Sequence, residues 1–275
     1  MTVPSVLETI VAAARRRVEV ARESVSFEVL EARAAARVGR GRTARVEAAL
    51  RGDDIRVIAE CKRRSPSKGI LRASYDPAAI AVAYQQAGAA AISVLTEPAF
   101  FDGDLTHLEA VRARVDVPVL RKDFTIDPYQ IVEASVAGAD LILLIVAALD
   151  QAALEHLLAC ASALDLGALV EVHDEDEARR AIDAGARIIG VNNRNLKTLE
   201  VSLETSYRVV DLLPADCLRV AESGLRSGSD IAGLRAAGFD AFLMGERFMT
   251  DTDPGEGLAR VRREAVEAAV SGGAR

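Results

Sequence analysis

Glutamate, lysine, asparagine and arginine recur in this chain at one kind of place, the end of a short apolar run. Glu60 and Lys62 close one run, Lys122 and Asp123 a second, Glu171 and His173 a third, Asn192 and Arg194 a fourth, Glu222 and Ser223 a fifth, and Gly245 and Glu246 a sixth. Residues two apart on a strand share a face, so Glu60 with Lys62, and Asn192 with Arg194, should point the same way. Carboxylates and ammonium groups brought together shift each other's pKa, which is the material of general acid–base catalysis. Ser223-Gly224 and Gly245-Glu246 add small residues ahead of helix N-termini, where backbone N–H groups can approach an oxyanion such as phosphate. One strand turning polar where it meets water needs no explanation. Five strands ending in acid, amide or base after apolar interiors point to a catalytic mouth.

The lysines sharpen that list. Of 34 basic residues only Lys62, Lys68, Lys122 and Lys197 are lysine, which leaves thirty arginines. Arginine stays protonated near neutral pH, whereas a partly desolvated lysine can give up its proton. Two of the four lysines, Lys62 and Lys122, fall at expected strand ends and the other two in the loops after the first and sixth strands.

The elements that must position these groups follow from the pattern. Strands are expected at 57–61, 91–95, 118–121, 141–145, 168–172, 188–192, 219–222 and 241–244, each short and mostly apolar, as in a parallel sheet covered on both faces. Ala-rich helical stretches separate them, giving repeated β/α units. Gly88, Gly138, Gly185 and Gly238, each preceded by alanine, recur at intervals of 50, 47 and 53 residues and suit the left-handed position past a helix end. Fifty residues hold two β/α units, so the repeat favours an eight-stranded (β/α)8 TIM barrel over an open doubly wound sheet. Val6, Ile10, Val11, Ala14, Val18 and Ala21 recur at helical spacing. Residues 1–50 thus read as an N-terminal helical extension lying across one end of a single barrel domain, 1–275. The run Arg15 to Arg17, with Glu8, Glu19 and Glu23 around it, reads as a solvated face.

Composition bounds the partners. A net charge of -7 and a pI near 5.2 argue against a general nucleic-acid or acidic-membrane binder. The longest apolar run, 141–149, is far shorter than the roughly twenty residues of a spanning helix. Cys61, Cys160 and Cys217 are odd in number without metal-ligand spacing, and the N-terminus reverses the order of a secretory signal, so a reducing cytoplasm is expected. Cys61 should face away from Glu60 and Lys62 into apolar surroundings. His173 is expected to hydrogen-bond rather than catalyse, and His107 and His156 to be structural or exposed.

The segments at 58–67, 93–97, 122–124, 140–145, 170–173, 190–196, 221–224 and 244–246 together resemble the indole-3-glycerol-phosphate synthase family, strand by strand and in order. The resemblance implies a (β/α)8 barrel with an N-terminal extension over the mouth. It implies conversion of 1-(2-carboxyphenylamino)-1-deoxyribulose 5-phosphate to indole-3-glycerol phosphate, with loss of CO2 and water, in tryptophan biosynthesis. Lys122 is then the acid for ring closure, Lys62 the partner of the substrate carboxylate, and Glu171 and Glu60 the base and acid of dehydration. Asn192 and Arg194 would orient substrate, with Glu222 holding the inner network. Phe124 and Leu196 would pack on the aromatic ring. Ser65, Ser223, Gly224, Gly245 and Glu246 would receive the phosphate on backbone groups, with Lys62 nearby, and Pro66 would be a further substrate-binding residue. The implied partner is a small phosphorylated anion, with no metal or organic cofactor, no nucleic acid and no membrane, and a monomer or weak homodimer. A related barrel, phosphoribosylanthranilate isomerase, would want a Cys and Asp pair where Glu60 and Glu171 stand, and a binding-only barrel would lack a donor or base. Asn195, Asp104 and Arg247-Phe248 depart from the family's usual residues, and none replaces a proton-transfer group.

Overall fold

A computed structural model describes residues 5–196 and 198–272. Eight parallel strands run β1 Arg56–Cys61, β2 Ala91–Leu95, β3 Val119–Lys122, β4 Leu141–Ile145, β5 Gly167–Val172, β6 Ile188–Asn192, β7 Leu218–Glu222 and β8 Ala241–Met244. Each pairs with the next, and β1 pairs with both β2 and β8, so the sheet closes. All eight expected strands are present, with ends shifted by at most one residue.

Closure divides each strand into two apolar faces. Ile58, Ala91, Leu120, Leu141, Leu169, Ile188, Leu218 and Ala241 fill the barrel. Val57, Cys61, Ile92, Val94, Ile142 and Val170 face the surrounding helices. Gly88, Gly138, Gly185 and Gly238 have φ of 84°, 106°, 80° and 109°, so each repeated glycine ends a helix in the conformation where a Cβ would be strained.

The N-terminal extension differs from expectation. It is three helices, α1 Val6–Ser24, α2 Phe27–Ala35 and α3 Arg42–Leu50, and it reaches both ends of the barrel. Ser26 caps α2 through Val29 N, and Gly39 and Gly41 take positive φ before α3, so local backbone chemistry breaks what reads as one helical segment. Ser5 and Glu8 form a reciprocal capping box at the start of α1. Leu30 and Ala34 of α2 pack with Val18, Tyr129 and Val132 on the barrel's flank. Val46 and Leu50 of α3, both fully buried, join the inner cluster at the amino ends of the strands. Among the described residues no helix is long and apolar enough to cross a membrane.

Candidate active site

At the carboxyl ends of the strands lies a cavity of about 510 Å³. Every residue to which the resemblance gives a part in catalysis or substrate binding lines it: Glu60, Lys62, Ser65, Pro66, Lys122, Phe124, Glu171, Asn192, Arg194, Leu196, Glu222, Ser223, Gly224, Gly245 and Glu246. Lys197 lies outside the described residues.

The floor is an ionic cluster. Lys122 Nζ donates to Glu171 Oε2 at 2.7 Å and to Glu222 Oε2 at 3.1 Å. Asn192 Nδ2 donates to Glu171 Oε1 at 3.0 Å, and His173 Nε2 lies 3.3 Å from the same oxygen. β3, β5, β6 and β7 supply these groups, from positions as far apart as 122 and 222. Burial alone would discharge Lys122, but the carboxylates of Glu171, Glu222 and Glu60 outweigh it and hold the ammonium firmly protonated. Burial also opposes ionisation of Glu171, yet Lys122 and His173 overcome it and lower its pKa. Glu222 goes the other way. Burial raises it, Lys122 offsets only part of that, and Glu171 adds repulsion, so it titrates at about 7. Its Oε1 is buried with no hydrogen-bond partner among the described residues. A Cβ at Gly190 would fall on that oxygen, so the glycine on β6 makes the room for the Glu222 carboxyl.

On β1, Lys62 Nζ pairs with Glu60 Oε1, and Glu60 is 3% exposed. A Cβ at Gly245 would lie 2.7 Å from Glu60 Cβ, so the residue that follows β8 must be glycine for Glu60 to keep its place. Cys61 between them is fully buried and turns toward the helices as expected.

The β7 and β8 ends form one wall. Ser223 and Gly224 both take positive φ, 63° and 81°. For serine that conformation is strained, and buried Asn193 secures it by donating to the carbonyls of Glu222 and Ser223 at 3.0 and 3.2 Å. Glu246 contributes its side chain here as well as backbone: Lys68 Nζ lies 2.6 Å from Oε1 and Arg194 Nη2 3.7 Å from Oε2. Arg194 therefore turns toward the β7–β8 side of the mouth.

The other wall is apolar. Phe101 and Phe124 meet with ring centroids 6.3 Å apart, and Val6, Leu7 and Ile10 of α1 roof the cavity beside Leu196. Reading Arg15 to Arg17 as wholly solvated is corrected for Arg17, which bridges Glu97 and Asp123 at 2.9 and 2.7 Å. Arg15 and Arg16 are exposed. The α1 roof stands where the resemblance puts the N-terminal extension, over the mouth, whereas Arg17, Phe101, Asn193 and Gly190 were missed in the sequence. Arg17 left no signal in spacing because its partners lie 80 and 106 residues away. Glycine inside an apolar strand was a usable sign at Gly190.

His173 stands behind the cluster. Nδ1 lies 3.0 Å from Glu177 Oε2, and although burial lowers its pKa, Glu171 and Glu177 outweigh that and raise it to about 10. His107 packs edge-on against Tyr75, and His156 is exposed. The three departures have local explanations. Asp104 caps the helix Leu105–Arg112 through Thr106 N, Asn195 accepts from Thr198 N, and Arg247 lies 3.6 Å from Glu264 at the cavity edge.

Comparison with known proteins agrees. The fold matches a mandelate oxidase mutant solved with benzaldehyde, at TM-score 0.60 and 20% identity over 92% of each chain. It also matches thiamine phosphate pyrophosphorylase from Pyrococcus furiosus, at TM-score 0.60 and 17% identity over 78% of this chain and 96% of that one. These show a shared barrel. Sequence goes further: the chain is 53% identical to indole-3-glycerol phosphate synthase 1 of Streptomyces coelicolor over 91% of this chain and 92% of that protein. It is 46% identical to the indole-3-glycerol phosphate synthase of Ruminiclostridium cellulolyticum over 94% of this chain and all of that protein. The family model for indole-3-glycerol phosphate synthase matches residues 7–261. The chain belongs to the indole-3-glycerol phosphate synthase family.

Proposed function

We propose that the chain closes, decarboxylates and dehydrates 1-(2-carboxyphenylamino)-1-deoxyribulose 5-phosphate to indole-3-glycerol phosphate, the carboxy-lyase step of tryptophan biosynthesis. The observation that carries this reading is Lys122, a charged proton donor held between two buried carboxylates at the floor of a cavity with one apolar and one anion-receptive wall. The phosphate lies on the Ser223, Gly224, Gly245 and Glu246 backbone with Ser65 from the first loop, Arg194 balances its charge with Lys62 nearby, and Pro66 borders the substrate. The aromatic ring lies against Phe124 and Leu196.

Ring closure puts negative charge on the ribulose carbonyl oxygen. Lys122 protonates that oxygen as the aromatic carbon attacks. Losing its proton removes the main counter-charge of Glu171, so the carboxylate becomes a stronger base at the moment dehydration needs one. Lys62 faces the substrate carboxylate until CO2 leaves, and Glu60 assists departure of the hydroxyl. Asn192 fixes the Glu171 carboxylate, and Glu222 holds Lys122 in place.

The chain acts as one domain over 1–275, in the cytoplasm, as a monomer or weak homodimer, without metal or organic cofactor. Incubation of the purified protein with the carboxyphenylamino substrate, without added metal, should yield indole fluorescence. Folded protein with no turnover would overturn the assignment.

A further inference from the structure

We infer that Arg17 is a positioning residue for this reaction: by bridging one carboxylate in each of two neighbouring βα loops, it sets the N-terminal helix and the aromatic wall around the ring end of the substrate. The inference rests on the function proposed above.

The two carboxylates are fully buried at the side chain or nearly so, 0% for Glu97 and 1% for Asp123, whereas Arg17 is 29% exposed. Each carries a second duty. Glu97 accepts from the backbone N–H groups of Ala99, Phe100 and Phe101, and so shapes the turn that presents the Phe101 ring. Asp123 follows Lys122 in sequence and accepts from Phe124 N at 2.8 Å, which sets the start of the loop that presents the Phe124 ring. The two rings that meet across the cavity wall are thus hung from two carboxylates that share one guanidinium. A planar fork can serve two acceptors at a fixed angle, which a lysine ammonium on a flexible stem does less well.

Arg17 also belongs to the roof. It stands seven residues, about two helical turns, after Ile10 and therefore on the same side of α1. The carboxyl-terminal half of α1 has ties of its own. Arg22 pairs with Asp127 at 2.7 Å, Tyr129 Oη donates to the carbonyls of Ala21 and Val25, and Val18 is buried in a separate apolar cluster. Removing Arg17 leaves those ties intact. What loosens is the amino-terminal half, with Val6, Leu7 and Ile10, together with the two aromatic loops.

This predicts a local effect. In the closed barrel β3 and β7 stand four strands apart, on opposite sides of the mouth, so the Ser223 and Gly224 end of the phosphate site should be insulated from the change. The experiment measures kcat and KM by indole fluorescence, and the inhibition constant of inorganic phosphate, in the wild type, Arg17→Met and Arg17→Lys. Arg17→Met should raise KM by about tenfold or more while phosphate inhibition moves by less than about twofold, and Arg17→Lys should recover part of the KM. Wild-type KM in folded Arg17→Met, or a phosphate constant that shifts as much as KM, would overturn the inference. If Arg17→Met does not fold, Arg17→Lys decides: a KM within about twofold of wild type refutes the role and a larger rise supports it. A wild type without turnover refutes the proposed function itself, and this inference with it.

Discussion

Lys122 combines two properties that oppose each other in most proteins, a mostly buried side chain, 12% exposed, and a stable charge. Two carboxylates within 2.7 and 3.1 Å supply the compensation. Arginine at this position keeps the charge and loses the usable proton. Lys122→Arg should therefore lower kcat by a factor on the order of 10² or more, read by indole formation under substrate saturation. Near-normal turnover would show that another group is the acid. Glu222 offers a second handle, because it titrates at about 7 while its neighbour Glu171 stays ionised. Deprotonation completes the double hold on Lys122, so kcat/KM should rise with pH through about 7 in the wild type. That step belongs to the Lys122, Glu171 and Glu222 cluster as a unit. Glu222→Gln should flatten it, and an unchanged inflection in that variant would assign the titration elsewhere.

The elements divide the labour by position along the barrel axis. Strand interiors carry apolar residues that make the scaffold, and strand ends carry the chemistry. The helical extension serves both ends, with α1 roofing the cavity and α3 stoppering the opposite opening. Leu50 is wholly buried at that stopper among side chains from several strands, which cannot collapse inward without breaking the sheet. Leu50→Ala should cost about 3 kcal/mol in denaturant unfolding while leaving KM near wild type, since the site lies at the other end. A loss under about 1 kcal/mol would mean that α3 does not complete the core. The strand positions and helix-ending glycines were legible because each follows from local pattern. The division of residues 1–50 was not, because the same amphipathic spacing suits one helix or three.

For the whole molecule, the net charge of -7 says little about the ligand. The cations that face the cavity are gathered at one mouth, and most of the remaining charge lies on the exposed surface. Stability should respond to pH through buried groups rather than through that total. His173 has its folded pKa raised to about 10 from an ordinary 6.5, so its contribution is complete below pH 6.5 and is lost as pH rises through 10. The melting temperature should fall across that window, and His173→Gln should shallow the fall. An identical slope in the variant would remove His173 from the account.

The sequence by itself determined the alternation of strands and helices, the repeat that implies a closed barrel, and the residue types that end each strand. These depend on neighbours within a few positions, so a linear reading reaches them. Only the tertiary structure decided which of those residues touch. It placed Lys122 between Glu171 and Glu222, opened space for Glu222 beside Gly190, and turned Arg17 from a surface charge into a bridge over 80 and 106 residues. Barrel closure is what brings such distant positions within hydrogen-bonding range, and no local spacing encodes which pairs will meet.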